Sequence, residues 1–595
     1  MEILHQSLAQ ILEEQARRYG SRVFLRDKSD HRWQDHSWRS VADRVARLRA
    51  GLHHMGIKPG DRVAILCDNS PEWVIVDMAA LGLGAIVVPL YTTGGAEETR
   101  HVLTDCGARL LALDSTQRLG RVRELGALPA LETIVLTQPS AASDSGTGPR
   151  IVSLEQASAY DPMPSITGNL DELATFIYTS GTTGPAKGAM LSHGNIIANC
   201  ESNLKALNLN SNDMTLSFLP VAHSFERTAG YYTVMLGGGT IAYAEGLGQI
   251  AANLLEVEPT VVLTVPRMLE AVYNRVMRTV ESSPPWRQRI FRAAVAIGSQ
   301  AADYGHRGRP VPFHVAAAMA VCRRLVFSKI RAIFGSRLRY LVSGGAPLST
   351  EINRMLAAAE IPIVEGYGLT EASPVVSCNL HGRTRIGTVG RPLNNVDVRT
   401  APDGELLVRG PNVMKGYYNR DSETREAIDA EGWLHTGDIA QIDIEGYIRI
   451  VDRKKDIIVL SGGKNVSAAN LESRLATDPF IAQACVVGDR RKHLAAILVP
   501  NFETLTARPP DKVRIDQRQP AELVNDRALR EFFRSRIRAF NRPLSDVERI
   551  VDFVLTERPF SQENGELTPT MKIRRRTVQE HYRAQIETLY RTGSE

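Results

Sequence analysis

Short, wholly apolar runs alternate along this chain with longer stretches in which apolar positions recur every three or four residues. Residues 63–66, 71–82 and 85–88 read as strand, helix and strand, and 261–265 and 339–342 repeat the strand signature. Strands apolar at every position, joined by helices, suit a parallel sheet covered on both faces. The pattern predicts an α/β fold with a large, multilayered N-terminal domain built on parallel-rich sheets. The texture changes after Gly446. Residues 447–451 read as a strand, Asp452-Arg453-Lys454-Lys455-Asp456 follow, and 457–460 lead to a glycine turn at Gly462-Gly463. A charged joint between two apolar strands predicts an interdomain hinge at 452–456. The large domain then spans 1–451, and 452–595 forms a smaller, mobile α+β domain whose basic tail turns helical. A length of 595 residues is too great for one core and agrees with this division.

Composition narrows the class. With 43% hydrophobic and 23% charged residues the chain is ordinary for a globular protein, and a net charge of +5 gives no reason to expect nucleic acid. Six scattered cysteines without metal spacing read as reduced thiols of a cytoplasmic protein. No signal peptide is evident in 1–20, which has a helical pattern. The longest apolar stretch, 73–91, is broken by Asp77, Gly82, Gly84 and Pro89 and does not read as a membrane span. Residues 138–150, rich in Ser, Ala, Gly and Pro, read as an exposed loop. Residues 283–340 hold eleven Lys and Arg against a single acid, Asp303, on a helical apolar pattern. They read as a solvated helical insertion or as a surface resting peripherally on anionic lipid at the inner face of a membrane, and both can hold.

The candidate chemistry centres on Tyr178-Thr179-Ser180-Gly181-Thr182-Thr183-Gly184-Pro185-Ala186-Lys187-Gly188, placed between an apolar run and a helical pattern beginning at Asn195. A strand, a loop of glycines and hydroxyls, and a helix would present N–H groups, hydroxyls and an ammonium to phosphates. It is not a Walker loop, because Gly188 rather than Ser or Thr follows Lys187. The plain alternative is a polar linker. The segment resembles the signature of the adenylate-forming superfamily, with Ala186 where Pro is usual.

The resemblance extends over nearly the whole chain, in the family's motif order, and implies roles for further residues. Gly344-Gly345-Ala346-Pro347 and Glu365-Gly366-Tyr367-Gly368-Leu369-Thr370-Glu371 look like the adenine-binding segments. Tyr367 would stack on adenine, Thr370 would meet the phosphates, and Glu371 with Thr179 would hold Mg²⁺; taken alone, Glu371 reads as a solvated helix-start acid. Trp433-Leu434-His435-Thr436-Gly437-Asp438 is similar to the segment whose aspartate accepts from both ribose hydroxyls, and Arg453 is expected on the same ribose. Asn564-Gly565-Glu566-Leu567-Thr568-Pro569-Thr570-Met571-Lys572 resembles the catalytic-lysine loop, with Met571 where most relatives have Gly, as in the long-chain fatty acyl branch. Leu219-Pro220-Val221-Ala222-His223-Ser224-Phe225-Glu226-Arg227 and Ser373-Pro374-Val375 point to the same branch, with His223 near the acyl and thiol site. Gly462, Gly463 and Lys464 would line the CoA route, and Lys455 would be the hinge pivot. The implied activity is ATP- and Mg²⁺-dependent conversion of a long-chain fatty acid to acyl-AMP, then transfer to CoA. Alternatives are an aryl-CoA ligase, a fatty acyl-AMP ligase and a nucleotide-binding switch. Whether the chain acts alone or as a homodimer is open.

Overall fold

The computed structural model of the chain describes residues 7–591 except 139–147, 167, 180–184, 307–308, 381–382, 463, 512, 516–517 and 569–571. Two large sheets carry the N-terminal domain. One has eight strands, in the order Gly416–Tyr417, Lys187–Ser192, Leu173–Thr179, Ile86–Pro89, Arg62–Leu66, Leu110–Leu113, Thr133–Leu136 and Arg150–Ser153. From Leu173–Thr179 onward it is parallel. The other has nine strands, parallel through Ile363–Gly368, Tyr340–Ser343, Val261–Thr264, Met214–Ser217, Thr240–Tyr243 and Val23–Ser29, with antiparallel edges.

The helix Pro71–Leu81 shows why the two sheets come together. Ser70 caps it by accepting from the Trp73 N–H, Pro71 begins it, and all its residues except the half-buried Glu72 are buried. A helix apolar all round must be covered on all sides. Trp73, Val74 and Met78 accordingly share one core with Val63 and Ile65 of the first sheet and Ile241 and Val261 of the second. Of the two acids on this helix, Glu72 accepts from Arg44 at 2.7 Å, whereas Asp77 is fully buried and pairs with Arg227, while the Tyr232 hydroxyl donates to Asp77 Oδ2 at 2.8 Å and Arg227 Nη1 to Thr175 Oγ1 at 2.7 Å. This network fixes the π-helical turn Glu226–Tyr232, and therefore the His223 loop before it, against the strand that leads to the phosphate loop.

An antiparallel four-stranded sheet follows, formed by Asp397–Thr400, Glu405–Arg409, Leu434–Ile442 and Ile448–Arg453. The smaller C-terminal domain holds the hairpin Ile457–Val459 and Asn465–Ser467 and a three-stranded sheet of Ile481–Val487, Leu494–Pro500 and Ile550–Leu555. Alternation along Ile481–Val487 sends Ala484 and Val486 to Leu529, Phe533 and Ile537 on one face, and Cys485 and Val487 to Val578 and Ile586 on the other.

Several expectations are sharpened. The phosphate segment is a strand, loop and second strand: Lys187–Ser192 pairs antiparallel with Leu173–Thr179 before the helix His193–Leu207 begins. Ser192 supplies the cap by accepting from Asn195, so the helix N-terminus lies a strand's length from the loop and not at it. The strand after Gly446 runs to Arg453, which places the first two residues of the expected hinge within the large domain's sheet. Residues 283–340 are helical as expected, but Arg339 is held by Asp213 at 2.6 and 2.7 Å and Arg323 by Glu360 at 2.7 Å. All six cysteines are buried. Among the described residues no helix is long and apolar enough to cross a membrane. Most of the loop 138–150 lies outside the described residues.

Candidate nucleotide and acyl site

The site gathers at strand ends. Tyr340–Ser343 and Ile363–Gly368 are adjacent and parallel, with Ser343 opposite Glu365, so the turn bearing Gly345, Ala346 and Pro347 and the segment from Gly366 to Glu371 leave the sheet at one edge. The C-terminal edge of parallel strands is where such folds hold ligands. Gly345 has φ +84, and a side chain on Gly368 would meet the Pro374 carbonyl oxygen at 2.0 Å. Both glycines are therefore needed for the backbone path itself. Glu365 faces inward: it is buried, accepts from Asn353 Nδ2 at 2.8 Å, and burial pushes its pKa up to about 7. It supports the segment from behind.

The strand pairing of Leu434–Ile442 with Ile448–Arg453 sets Asp438 opposite Arg453, whose Nε lies 3.4 Å from Asp438 Oδ1. Tyr367 donates its hydroxyl to Asp438 Oδ2 at 2.5 Å, which joins the expected adenine platform to the expected ribose acceptor. Behind Asp438, the Gly437 N–H donates to Glu405 Oε1 at 2.8 Å and Thr436 Oγ1 to the Leu406 carbonyl at 2.7 Å. Burial raises the Asp438 pKa, against the pull of Arg453 and the Tyr367 hydroxyl. For Arg453, whose side chain stays half exposed, crowding at the cleft disfavours the cation but is outweighed by Asp438 and Glu371, so its pKa rises.

Thr370 and Glu371 lie on a single 3₁₀ turn, Thr370–Ala372. Thr370 Oγ1 is 3.0 Å from Ser224 Oγ, and Glu371 Oε1 accepts from the Tyr417 hydroxyl at 2.8 Å. Thr179 ends the strand paired with Lys187. Lys187 Nζ sits 5.4 Å from the centroid of the Tyr417 ring and 3.8 Å from Glu423 Oε1. Ser180, Gly181, Thr182, Thr183 and Gly463 lie outside the described residues. Among the described residues no group of three or more His, Cys, Asp or Glu could hold a metal by itself. A threonine hydroxyl and one carboxylate are a partial shell of hard oxygens, which fits Mg²⁺, an ion that completes its coordination with phosphate oxygens and water.

Lys572 enters from the small domain joined to Thr568, whose N–H donates to the Lys572 carbonyl at 2.8 Å and whose Oγ1 accepts from the Lys572 N–H at 3.0 Å. Two residues before Thr568 stands Glu566, whose buried carboxylate accepts from Arg558 at 2.9 and 3.0 Å and lies 2.9 Å from His581 Nδ1. Lys572 retains solvent contact, yet crowding at the cleft and the nearby Arg453 lower its pKa to about 8, opposed by Asp438 and Glu371. His223 is held neutral near a pKa of about 4, by burial first and then by Lys572. Its Nδ1 accepts from the Phe225 N–H at 3.1 Å, which leaves the proton on Nε2. Gly462 and Lys464 are exposed at the tip of the hairpin beyond the hinge. The Lys454 N–H donates to the Gly437 carbonyl at 2.8 Å and its ammonium meets Asp403 at 2.5 Å and Glu405 at 3.2 Å, while Lys455 is exposed. The small domain is further tied down by Arg508, which donates to Glu281 at 2.6 Å and to the Arg278 carbonyl at 3.0 Å.

Tyr417, Glu423 and Glu405 were not singled out from sequence. Each acts through a partner dozens of residues away or across a sheet, and Tyr417 carried only the weak signal of an aromatic beside a glycine.

The chain as a whole is similar to known proteins. The AMP-binding enzyme family matches residues 12–418, and the family's C-terminal domain matches 455–594. The long-chain-fatty-acid–CoA ligase FadD15 of Mycobacterium bovis is 34% identical over 98% of this chain and 97% of its own. The peroxisomal long chain acyl-CoA synthetase 6 of Arabidopsis thaliana is 31% identical over 94% and 82%. Among solved structures, the adenylation domain of a carboxylate reductase from Mycobacterium chelonae aligns with a TM-score of 0.79 at 23% identity, covering 99% of this chain and 92% of that one, a likeness of fold. The chain belongs to the AMP-binding enzyme family.

Proposed function

We propose that the protein is an AMP-forming acyl-CoA synthetase acting on long-chain fatty acids, with a large domain ending near Arg453 and a small domain that turns on Lys455. The observation that carries this reading is the joining of Tyr367, Asp438 and Arg453 at one cleft, with Lys572 near enough to feel the charges of Arg453, Asp438 and Glu371, in a chain whose full-length relatives include long-chain fatty-acid CoA ligases.

A carboxylate is a poor electrophile because its oxide is a poor leaving group, and making it the acyl ester of AMP removes that obstacle. In this reading Asp438 offers two acceptor oxygens to the ribose diol, Tyr367 stacks on adenine, and Lys187, freed from Glu423, reaches the phosphates. Mg²⁺ held by Glu371 and Thr179 would offset phosphate charge as pyrophosphate leaves. The Lys572 ammonium draws the acyl carboxylate and the α-phosphate together, because each is an anion that repels the other. Neutral His223, with its proton on Nε2, donates toward the acyl carboxylate without adding a competing charge. The small domain then rotates, withdraws Lys572 and brings Gly462, Gly463 and Lys464 to the CoA path.

ATP–pyrophosphate exchange without CoA tests the first half. Exchange driven by hexadecanoic acid and absent without it is expected; exchange with benzoic acid but not with any fatty acid would favour an aryl-CoA ligase.

A further inference from the structure

The insertion between Val261–Thr264 and Tyr340–Ser343 has an inner face that the core accounts for and an outer face that it does not. Its helices Pro285–His306 and Phe313–Cys322 turn Phe291, Ala294, Met319, Cys322 and then Phe327 into the core beneath the nine-stranded sheet. The side of the second helix turned away from that core carries Phe313, Val321 and Leu325, with exposures of 87, 57 and 57%, and Trp286 and Ile290 near the start of the first helix are exposed by 57 and 40%. Phe313, Ala317, Val321 and Leu325 follow one another at intervals of four, a stripe about 18 Å long on one side of the helix and its continuation. A helix side turned to water is ordinarily polar, so this stripe lacks its partner.

Charge identifies the partner. The insertion has eleven basic residues and one acid. Arg339 and Arg323 are taken up by Asp213 and Glu360, but Arg287, Arg289, Arg292, Arg324 and Lys329 are exposed and make no ion pair among the described residues. A second copy of this face would set arginines against arginines. An aromatic and aliphatic stripe flanked by uncompensated cations matches the boundary of an anionic bilayer, where apolar side chains enter the acyl region and cations meet phosphates.

We propose that the outer face of this insertion docks on an anionic lipid bilayer through Trp286, Phe313, Val321 and Leu325, with the flanking cations on headgroup phosphates. Docking requires no catalytic step; only its use, collecting a fatty acid dissolved in the membrane, rests on the activity proposed above.

The test is co-sedimentation of the full chain with phosphatidylglycerol-containing vesicles and with pure phosphatidylcholine vesicles, at low and high salt. Binding to the anionic vesicles is expected, weakened by salt. The Phe313→Ser/Val321→Ser/Leu325→Ser variant should bind at least about tenfold more weakly. Arg289→Gln and Arg324→Gln should each weaken binding about fivefold. Brominated lipid should quench tryptophan emission, and Trp286→Phe should lose most of that quenching, since Trp38, Trp73 and Trp433 are buried and Trp33 is half-buried, its indole donating to Glu256 Oε2 at 3.0 Å. Four results would overturn the proposal: no binding, equal binding to both vesicle types, anionic binding unchanged in the triple variant, or lipid-free self-association abolished by that variant. None involves catalysis, so these failures leave the proposed activity untouched.

Discussion

The Tyr417 hydroxyl donates to Glu371 Oε1 at 2.8 Å while the same ring lies 5.4 Å beneath the Lys187 ammonium. One side chain thus orients the candidate Mg²⁺ ligand and supports the candidate phosphate cation. It is itself fixed, because Tyr417 pairs with Ala189 of the phosphate hairpin and its N–H donates to Thr424 Oγ1 at 2.9 Å. Groups that orient a metal ligand commonly matter about 10- to 100-fold in metal affinity. Tyr417→Phe should therefore raise the Mg²⁺ concentration for half-maximal pyrophosphate release about tenfold, with the KM for fatty acid unchanged. A Mg²⁺ titration at fixed ATP checks this, and equal shifts in both constants would reduce Tyr417 to a packing role.

Lys572 gives a pH signature. Its pKa is lowered to about 8, so its charge is present below that pH and is lost as pH rises through it. Because kcat/KM reports the free enzyme, kcat/KM for ATP in adenylate formation should fall above about pH 8. Lys572→Arg, whose guanidinium does not titrate there, should flatten that limb even if its maximal rate is low. A profile of the same shape in both proteins would remove Lys572 from the step.

The two halves of the reaction should separate at Lys455. Among the described residues its backbone N–H donates no hydrogen bond, whereas its neighbours are tied: Arg453 in the sheet, Lys454 to Gly437, and the Asp456 N–H to the Arg453 carbonyl at 2.9 Å. Proline there removes no existing bond but fixes φ near −65°. Lys455→Pro should form acyl-adenylate near the wild-type rate and transfer it to CoA at least about tenfold more slowly, a factor equal to 1.4 kcal/mol of conformer preference. Lys572→Ala should do the reverse. Single-turnover assays of each half-reaction, on protein confirmed folded, decide it. Equal losses in both halves of the Lys455→Pro protein would rule out a pivot.

What could be read from sequence follows the physics of each signal. Strands such as Arg62–Leu66 and Val261–Thr264 were legible because burial on both faces leaves their runs 63–66 and 261–263 without a polar position. The strand Lys187–Ser192 was missed because its six residues, Lys-Gly-Ala-Met-Leu-Ser, carry little apolar patterning, and its place depends on pairing with Leu173–Thr179. The resemblance put Asp438 and Arg453 on one ribose, but their direct opposition is a matter of register across two strands and is not written in either string. Glu365 was grouped with its neighbours by motif, whereas strand alternation turns it inward to Asn353. Glu423 has no local signature and Tyr417 only a weak one, because their partners are brought to them only by the fold.

The most direct measurement is product stoichiometry with ATP across straight-chain fatty acids of rising length, with and without CoA. One pyrophosphate, one AMP and one acyl-CoA formed together, highest for long chains and dependent on both acid and CoA, is the expected result. Inorganic phosphate released without any acid, or adenylate that accumulates and never passes to CoA, would contradict it.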